Sequence, residues 1–294
     1  MQSRFRTVAI TGKPNDPGSV DVVRRVCEHL AAHGITVVVD ADIVPDGHQA
    51  KGVRRLPQPQ LVAEAELLIS VGGDGTLLNS ARLIVDRDIP VLGINRGRLG
   101  FLVDVPPSDL DQLEPILAGE FIEEDRALLI AEIRQGGHVV KSGIAVNDVV
   151  LYKWNTARMV EFTTYVDGIL LTNHRADGLI MATATGSTAY ALAAGGPIIH
   201  PSVDAIAVVP VCPHTLSNRP IIVAANSEIT VELHPDSYNR VGISCDGQED
   251  MGLQADAQLV VRQHSHRVRL IHPPEYSYYD VLRAKLRWGD TNLR

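Results

Sequence analysis

A carboxylate sits inside a glycine loop at Gly72-Gly73-Asp74-Gly75-Thr76. The apolar run Leu67 to Val71 before it reads as a strand, and the pattern after it, from Thr76 to about Val85, reads as a helix. A flexible turn at that junction aims backbone N–H groups at an anion, so phosphate is its natural ligand. The loop follows neither the GxxxxGK[ST] nor the GxGxxG pattern. Asp74 would repel a bare phosphate, which leaves it two chemical jobs: taking the proton of an attacking hydroxyl, or holding a Mg²⁺ that bridges phosphate oxygens. The same five residues also suit a plain turn with Asp74 at the helix start.

A second stretch, Asp177-Gly178 through an apolar strand to Thr183-Ala184-Thr185-Gly186-Ser187-Thr188-Ala189-Tyr190, ends in hydroxyls before the small residues Ala191 to Gly196. Hydroxyl and N–H donors there can hold ribose or phosphate oxygens without adding charge. Taken by itself, the pattern reads better as an ordinary capped helix with a packed alanine face. Asn147-Asp148 offers a donor and acceptors for a base edge or a ribose diol, and is also common turn chemistry. Ser244-Cys245-Asp246-Gly247-Gln248 reads as a hairpin turn or a ligand loop. The eleven histidines show no convergence. His264 and His266 share a strand face, without HExxH or a carboxylate at ligand spacing. No GxSxG elbow anchors a hydrolase triad.

These residues need elements to position them. Thr7 to Ile10, a Gly12–Gly18 loop, a helix from Ser19 to His33 closed by Gly34, and Ile35 to Val39 spell strand, helix, strand. With Leu67 to Val71 and Val91 to Ile94 they predict a Rossmann-like α/β domain with a parallel sheet, residues 1–119, with a helix from Ser108 to Ala118 near its end. Residues 120–274 read as a mainly β domain, with hairpins at Gly136-Gly137 and Asp167-Gly168. The tail 275–294, helical around Val281 to Leu286, is expected to return to the first domain. The 294 residues, 45% hydrophobic and 21% charged, fit about two globular domains and exclude a disordered chain. The longest apolar runs, such as Ala205 to Cys212, are too short to span a bilayer, and no leader pattern opens the chain, so a non-secreted protein is expected. A net charge of −8 disfavours nucleic acid, and Cys27, Cys212 and Cys245, widely spaced, read as reduced thiols of a cytoplasmic protein.

Together the segments resemble the NAD kinases, which move the terminal phosphoryl of ATP to the 2′-hydroxyl of the adenosine ribose of NAD. The resemblance rests on Gly72-Gly73-Asp74-Gly75-Thr76, Asn147-Asp148, Asp177-Gly178 and Thr185-Gly186-Ser187-Thr188-Ala189-Tyr190, in the family's order. It extends through Gly195-Gly196-Pro197, Pro213-His214-Thr215-Leu216 and Asp280, and so covers nearly the whole chain. Similar glycine loops occur in diacylglycerol, sphingoid and 6-phosphofructo kinases, and it is the TGSTAY segment downstream of DG that is specific.

The resemblance implies that Asp74 activates the hydroxyl and, with Gly75, lines the NAD site. It implies that Gly72, Gly73, Gly75 and Thr76 serve the phosphates. NAD would further be bound by Asn147, Asp148, Asp177, Thr188, Ala189, Tyr190, Ala191, Leu192 and Ala193, and by Arg158, Arg175 and Gln248 at positions that often contact the dinucleotide. A divalent cation, Mg²⁺ with ATP, is implied, its protein ligands unassigned, along with a homodimer or homotetramer built on the β-rich domain. A basic residue at Arg175 is associated in the family with preference for NAD over NADH. Two departures stand out: Asp148 where the family more often has Glu, and Ala184 where it usually has Pro, which leaves that turn freer before folding. The rival readings are a kinase of a lipid or sphingoid alcohol, disfavoured by the acidic charge and the lack of a basic amphipathic helix, and an NAD-sensing module without catalysis, which would have no need of Asp74.

Overall fold

The computed structural model describes residues 3–14, 16–43, 52–97, 100–254 and 256–288; residues 289–294 of the expected tail and Asn15 of the first expected loop lie outside the described residues. The chain divides into two compact units, Met1–Asp125 with Val268–Arg294, and Arg126–Arg267.

The first unit alternates strands and helices: β1 (Thr7–Gly12), α1 (Pro17–Ala32), β2 (Thr36–Asp40), β3 (Arg54–Leu56), α2 (Gln58–Glu64), β4 (Leu67–Val71), α3 (Asp74–Leu83), β5 (Val91–Ile94) and, after a 3₁₀ turn at Leu110–Gln112, α4 (Leu113–Ala118). Its sheet is parallel throughout, in the order β5-β4-β1-β2-β3. Strands covered on both faces need continuous apolar runs, and β4 is buried at all five positions. The start of α1 follows from local chemistry. Asp16 caps it by accepting the Ser19 amide at 2.7 Å, Pro17 occupies its first turn, and Val22, Val23, Val26, Cys27 and Leu30 form its buried face. The expected helix from Ser108 is shorter than the sequence pattern suggests, beginning as the 3₁₀ turn.

The second unit is antiparallel. Its strands are the greater part of β6 (Ile122–Gln135), then β7 (His138–Ala145), β8 (Asp148–Lys153), β9 (Val160–Val166), β10 (Ile169–Ala176), β11 (Gly178–Ala182), β12 (Ala205–Val211), β13 (Ile221–Ala224), β14 (Ile229–Leu233), β15 (Val241–Cys245), β16 (Glu249–Gly252) and most of β17 (Ala257–His272), with α5 (Tyr190–Ala193) between β11 and β12. One sheet runs β10-β9-β14-β17 and the other β13-β12-β11-β8-β15-β16. The hairpin turns carry the backbone their sequences demand. Gly136 and Gly137, Asp167 and Gly168, and Asp246 and Gly247 all have positive φ, as tight hairpins require. The last helix, α6 (Tyr278–Leu286), belongs to the first unit: it buries Val281 and Leu282, and Lys285 Nζ lies 5.4 Å from the Phe101 ring.

The fold class is therefore the expected one, an α/β domain with a parallel sheet and a mainly β domain with antiparallel sheets.

Candidate active site

In the first unit the chemistry gathers at the carboxyl ends of β4 and β5, which lie side by side and parallel. Gly72 and Gly73 turn the chain, Gly73 is the residue before α3, and Asp74 is the first residue of that helix. Asp74 does not cap its own helix. Its Oδ2 accepts the Phe101 amide at 2.9 Å and its Oδ1 the Leu102 amide at 3.0 Å. A carboxylate held at both oxygens by backbone is fixed in direction, while each oxygen keeps a further lone pair for a proton or a cation. The loop that holds it needs glycine at its nearest point: a Cβ on Gly100 would lie 2.1 Å from Asp74 Oδ1. Asp74 and Thr76 are half-buried, and Gly73 and Gly75 are exposed, so the loop is open to a ligand.

In the second unit three separate segments converge. Asp246, at the β15–β16 turn, accepts the amides of Val146 at 3.0 Å, Asn147 at 2.7 Å and Asp148 at 3.2 Å, and returns its own amide to the Asp148 carbonyl at 2.9 Å. From the other side, the Thr183 amide donates to the Asn147 carbonyl at 2.9 Å, and its hydroxyl donates to the Val146 carbonyl at 2.7 Å while accepting the Gly186 amide at 3.0 Å. Gly186 passes so close that a Cβ there would lie 2.0 Å from the Asn147 carbonyl. Asn147 and Asp148 are thus clamped by backbone on both flanks. Burial and, after it, the charge of Asp246 push the Asp148 carboxyl up to about 7.

The hydroxyl run is partly used by the fold itself. Ser187 Oγ donates to the Ala184 carbonyl and accepts the Ile199 amide at 2.9 Å, and Thr188 Oγ1 donates to the Thr185 carbonyl. Thr185 faces the buried Arg126, whose Nη1 is 3.4 Å from Thr185 Oγ1. In place of a capped helix there is a 3₁₀ turn, Thr185–Thr188, and then α5, only four residues long, because Ala189 leaves the helical region between them, with φ −99° and ψ −126°. Of α5, Tyr190 and Ala193 are exposed, Leu192 is half-buried and Ala191 is buried.

Other expected residues lie apart from this cluster. Asp177 sits at the opposite end of β11 from Ala182, the residue that pairs with Asp148, and is ion-paired with Lys153 at 2.8 Å. Arg175, on β10, faces Glu161 at 3.6 Å, and Arg158 lies exposed in the turn before β9. Gln248 closes the Asp246 turn through its amide to the Cys245 carbonyl.

Sequence reasoning named Asp246 and Thr183 without finding what they hold, and missed Arg126 and the Phe101–Leu102 amides. The Asp246-Gly247 pair was visible as a turn, but only strand register shows which amides its acid meets. The expectation that the histidines do not converge is corrected by the structure. His29 of α1 and His33, four residues on at the cap of that helix, meet Glu114 of α4. His272, wholly buried, is bonded to Asp104 and lies 3.3 Å from Glu124. The spacing of His29 and His33 was legible, but Glu114, and Asp104 and Glu124 beside His272, come from distant positions that spacing alone could not reveal.

A glycine-loop acid in an α/β unit and a clamped Asn-Asp pair in a β unit suit a phosphotransferase, the class that such loops serve. The model of the ATP-NAD kinase N-terminal domain matches residues 8–121, and that of the ATP-NAD kinase C-terminal domain matches residues 146–273. An NAD kinase of Halorhodospira halophila is 49% identical over 288 residues, 97% of this chain and 94% of that one. One of Coxiella burnetii is 43% identical over 286 residues, 97% of this chain and 95% of that one. Among solved structures, yeast NADH kinase complexed with NADH aligns with a TM-score of 0.87 at 26% identity, covering all of this chain and 90% of the yeast chain. An Archaeoglobus fulgidus NAD kinase in complex with ATP shares the fold, with a TM-score of 0.72 at 22% identity over 96% of this chain and 98% of that one. The chain belongs to the ATP-NAD kinase family.

Proposed function

We propose that the chain is an NAD kinase, transferring the γ-phosphoryl of ATP to the 2′-hydroxyl of the adenosine ribose of NAD to give NADP. The observation that carries this reading is the 49% identity, along nearly the whole chain, to a relative that bears that name. The geometry supplies the chemistry. A protonated ribose hydroxyl is a poor nucleophile, and Asp74 takes its proton as the bond to phosphorus forms, a contribution typically worth ~10²–10⁴ in rate. The two amides that fix its carboxylate support that role, because a base aimed in advance needs no reorganisation at the moment of reaction.

Gly72, Gly73, Gly75 and Thr76 hold phosphate. Asn147 and Asp148 hold the NAD ribose, their positions set by Asp246 and Thr183, and Asp177, Arg158, Arg175, Gln248 and Thr188 to Ala193 complete the NAD contacts. The cation is Mg²⁺ that arrives with ATP and neutralises phosphate charge; an oxygen-donor acid such as Asp74 suits a hard cation of this kind. The protein works in the cytoplasm as a homodimer or homotetramer. Support for the assembly comes from apolar side chains exposed on the edge strands β10 and β13 of the second unit: Ile169, Leu170, Ile221 and Ile222. Incubating the chain with NAD, ATP and Mg²⁺, and reading NADP with an NADP-specific dehydrogenase, tests the reading. NADP formation is expected, and its absence contradicts it.

A further inference from the structure

His29, in the last turn of α1, and His33, the residue that caps the end of that helix, lie four positions apart with ring centroids 4.7 Å apart. Glu114, in the first turn of α4, comes up against them. One nitrogen of each imidazole and one carboxylate oxygen all lie within 4.8 Å of one another.

The hydrogen bonds around the cluster decide where the protons are. His33 Nδ1 lies 2.9 Å from the His29 carbonyl, and a carbonyl can only accept, so Nδ1 carries the proton. In the neutral ring, Nε2 then keeps its lone pair, and this atom faces Glu114 Oε1 at 3.4 Å. Two lone-pair atoms facing each other attract only if a cation, either a proton on Nε2 or a metal ion, lies between them. His29 Nε2 is shielded from solvent and has no hydrogen-bond partner.

We propose that His29, His33 and Glu114 form a zinc site that cross-links α1 to α4. Two imidazoles and one carboxylate, with water in the fourth position, are a set that zinc accepts in tetrahedral geometry. The bond from His33 Nδ1 to a backbone carbonyl is the outer contact that usually fixes a ligating ring and leaves Nε2 for the metal. The residues take no part in phosphoryl transfer, so the site acts on the first unit's structure. His264 and His266 on β17 are a useful contrast. Their rings are 5.4 Å apart, but the His266 amide occupies His264 Nδ1, and no acid joins them in a cluster among the described residues.

The test uses the full chain stripped with EDTA and dialysed, then titrated calorimetrically with zinc chloride. One zinc per chain is expected, with a rise in melting midpoint at zinc concentrations of about 100 μM. His29→Gln, His33→Gln and Glu114→Gln should each weaken binding by at least about tenfold and abolish the rise, with NADP formation unchanged. His33 and Glu114 are surface residues, with side-chain exposures of 39% and 52%, so their variants keep the comparison if His29→Gln fails to fold. No binding at that concentration, or binding that survives the His33 and Glu114 substitutions, overturns the proposal.

Discussion

The carboxylate of Asp246 accepts the backbone N–H of Asn147 at 2.7 Å, although the two residues lie 99 positions apart. Neighbouring amides of Val146 and Asp148 bond to the same acid, so one side chain fixes the segment proposed to hold the ribose. Asp246→Ala would leave those donors unmet, each at a cost of about 1–3 kcal/mol before relaxation. Steady-state kinetics should show the KM for NAD raised about tenfold or more, with the KM for ATP changed much less. Asp246→Asn keeps one acceptor and suits the left-handed φ of 54°, so its effect should be milder. Equal KM values in all three proteins would show that Asp246 does not position the segment.

The role proposed for Asp148 predicts a pH signature. Its carboxyl titrates at about 7, raised first by burial and then by Asp246. The other elements flanking it, β11 and the Thr183–Thr188 segment, carry no titratable side chain. An ionised Asp148 accepts from a ribose hydroxyl more strongly than a protonated one. The KM for NAD should therefore fall as pH rises through about 7, and the step should vanish in Asp148→Asn. A pH-rate series at saturating ATP reads this directly, and a step that persists in the variant would assign it elsewhere.

His272 acts on stability instead. Burial alone would lower its pKa, but hydrogen bonds and charge from Asp104 and Glu124 outweigh burial and raise it above the usual 6.5. A raised histidine stabilises the fold fully below its unfolded value and loses that contribution as pH climbs through the folded one. The melting midpoint of the native protein should exceed that of His272→Gln most at about pH 6, and the gap should narrow towards about pH 9. A gap that widens with pH would reverse the assignment of charge.

How much of this was legible in the sequence depended on range. The glycine pairs Gly136-Gly137 and Asp167-Gly168 announced hairpins because turn chemistry is local, and the buried run Leu67 to Val71 announced the strand that carries Asp74. The partners of Asp74 were not legible, since Phe101 and Leu102 reach it only because β4 and β5 are neighbours. The helix read after Thr185 also failed. Small residues permit a helix, but the backbone of Ala189 interrupts it, and local pattern does not report that interruption.

Ala184 offers a stability test of a departure from the family pattern. Its φ of −56° lies in the range proline adopts, and it follows Thr183, just past the end of β11. Ala184→Pro should raise stability by about 0.4–1 kcal/mol through the unfolded chain, seen as a small rise in melting midpoint with NAD binding intact. A fall in the midpoint would show that the Ala184 amide matters to the folded turn.

The central claim concerns Asp74, and its most direct test is single-turnover formation of NADP by Asp74→Asn beside the native chain, with NAD affinity measured by calorimetry in both. The asparagine keeps the side-chain shape and one acceptor while losing the base. NAD should bind with similar affinity, and turnover should drop by at least about a hundredfold. Near-native turnover in Asp74→Asn would contradict the assignment of Asp74 as the group that takes the hydroxyl proton.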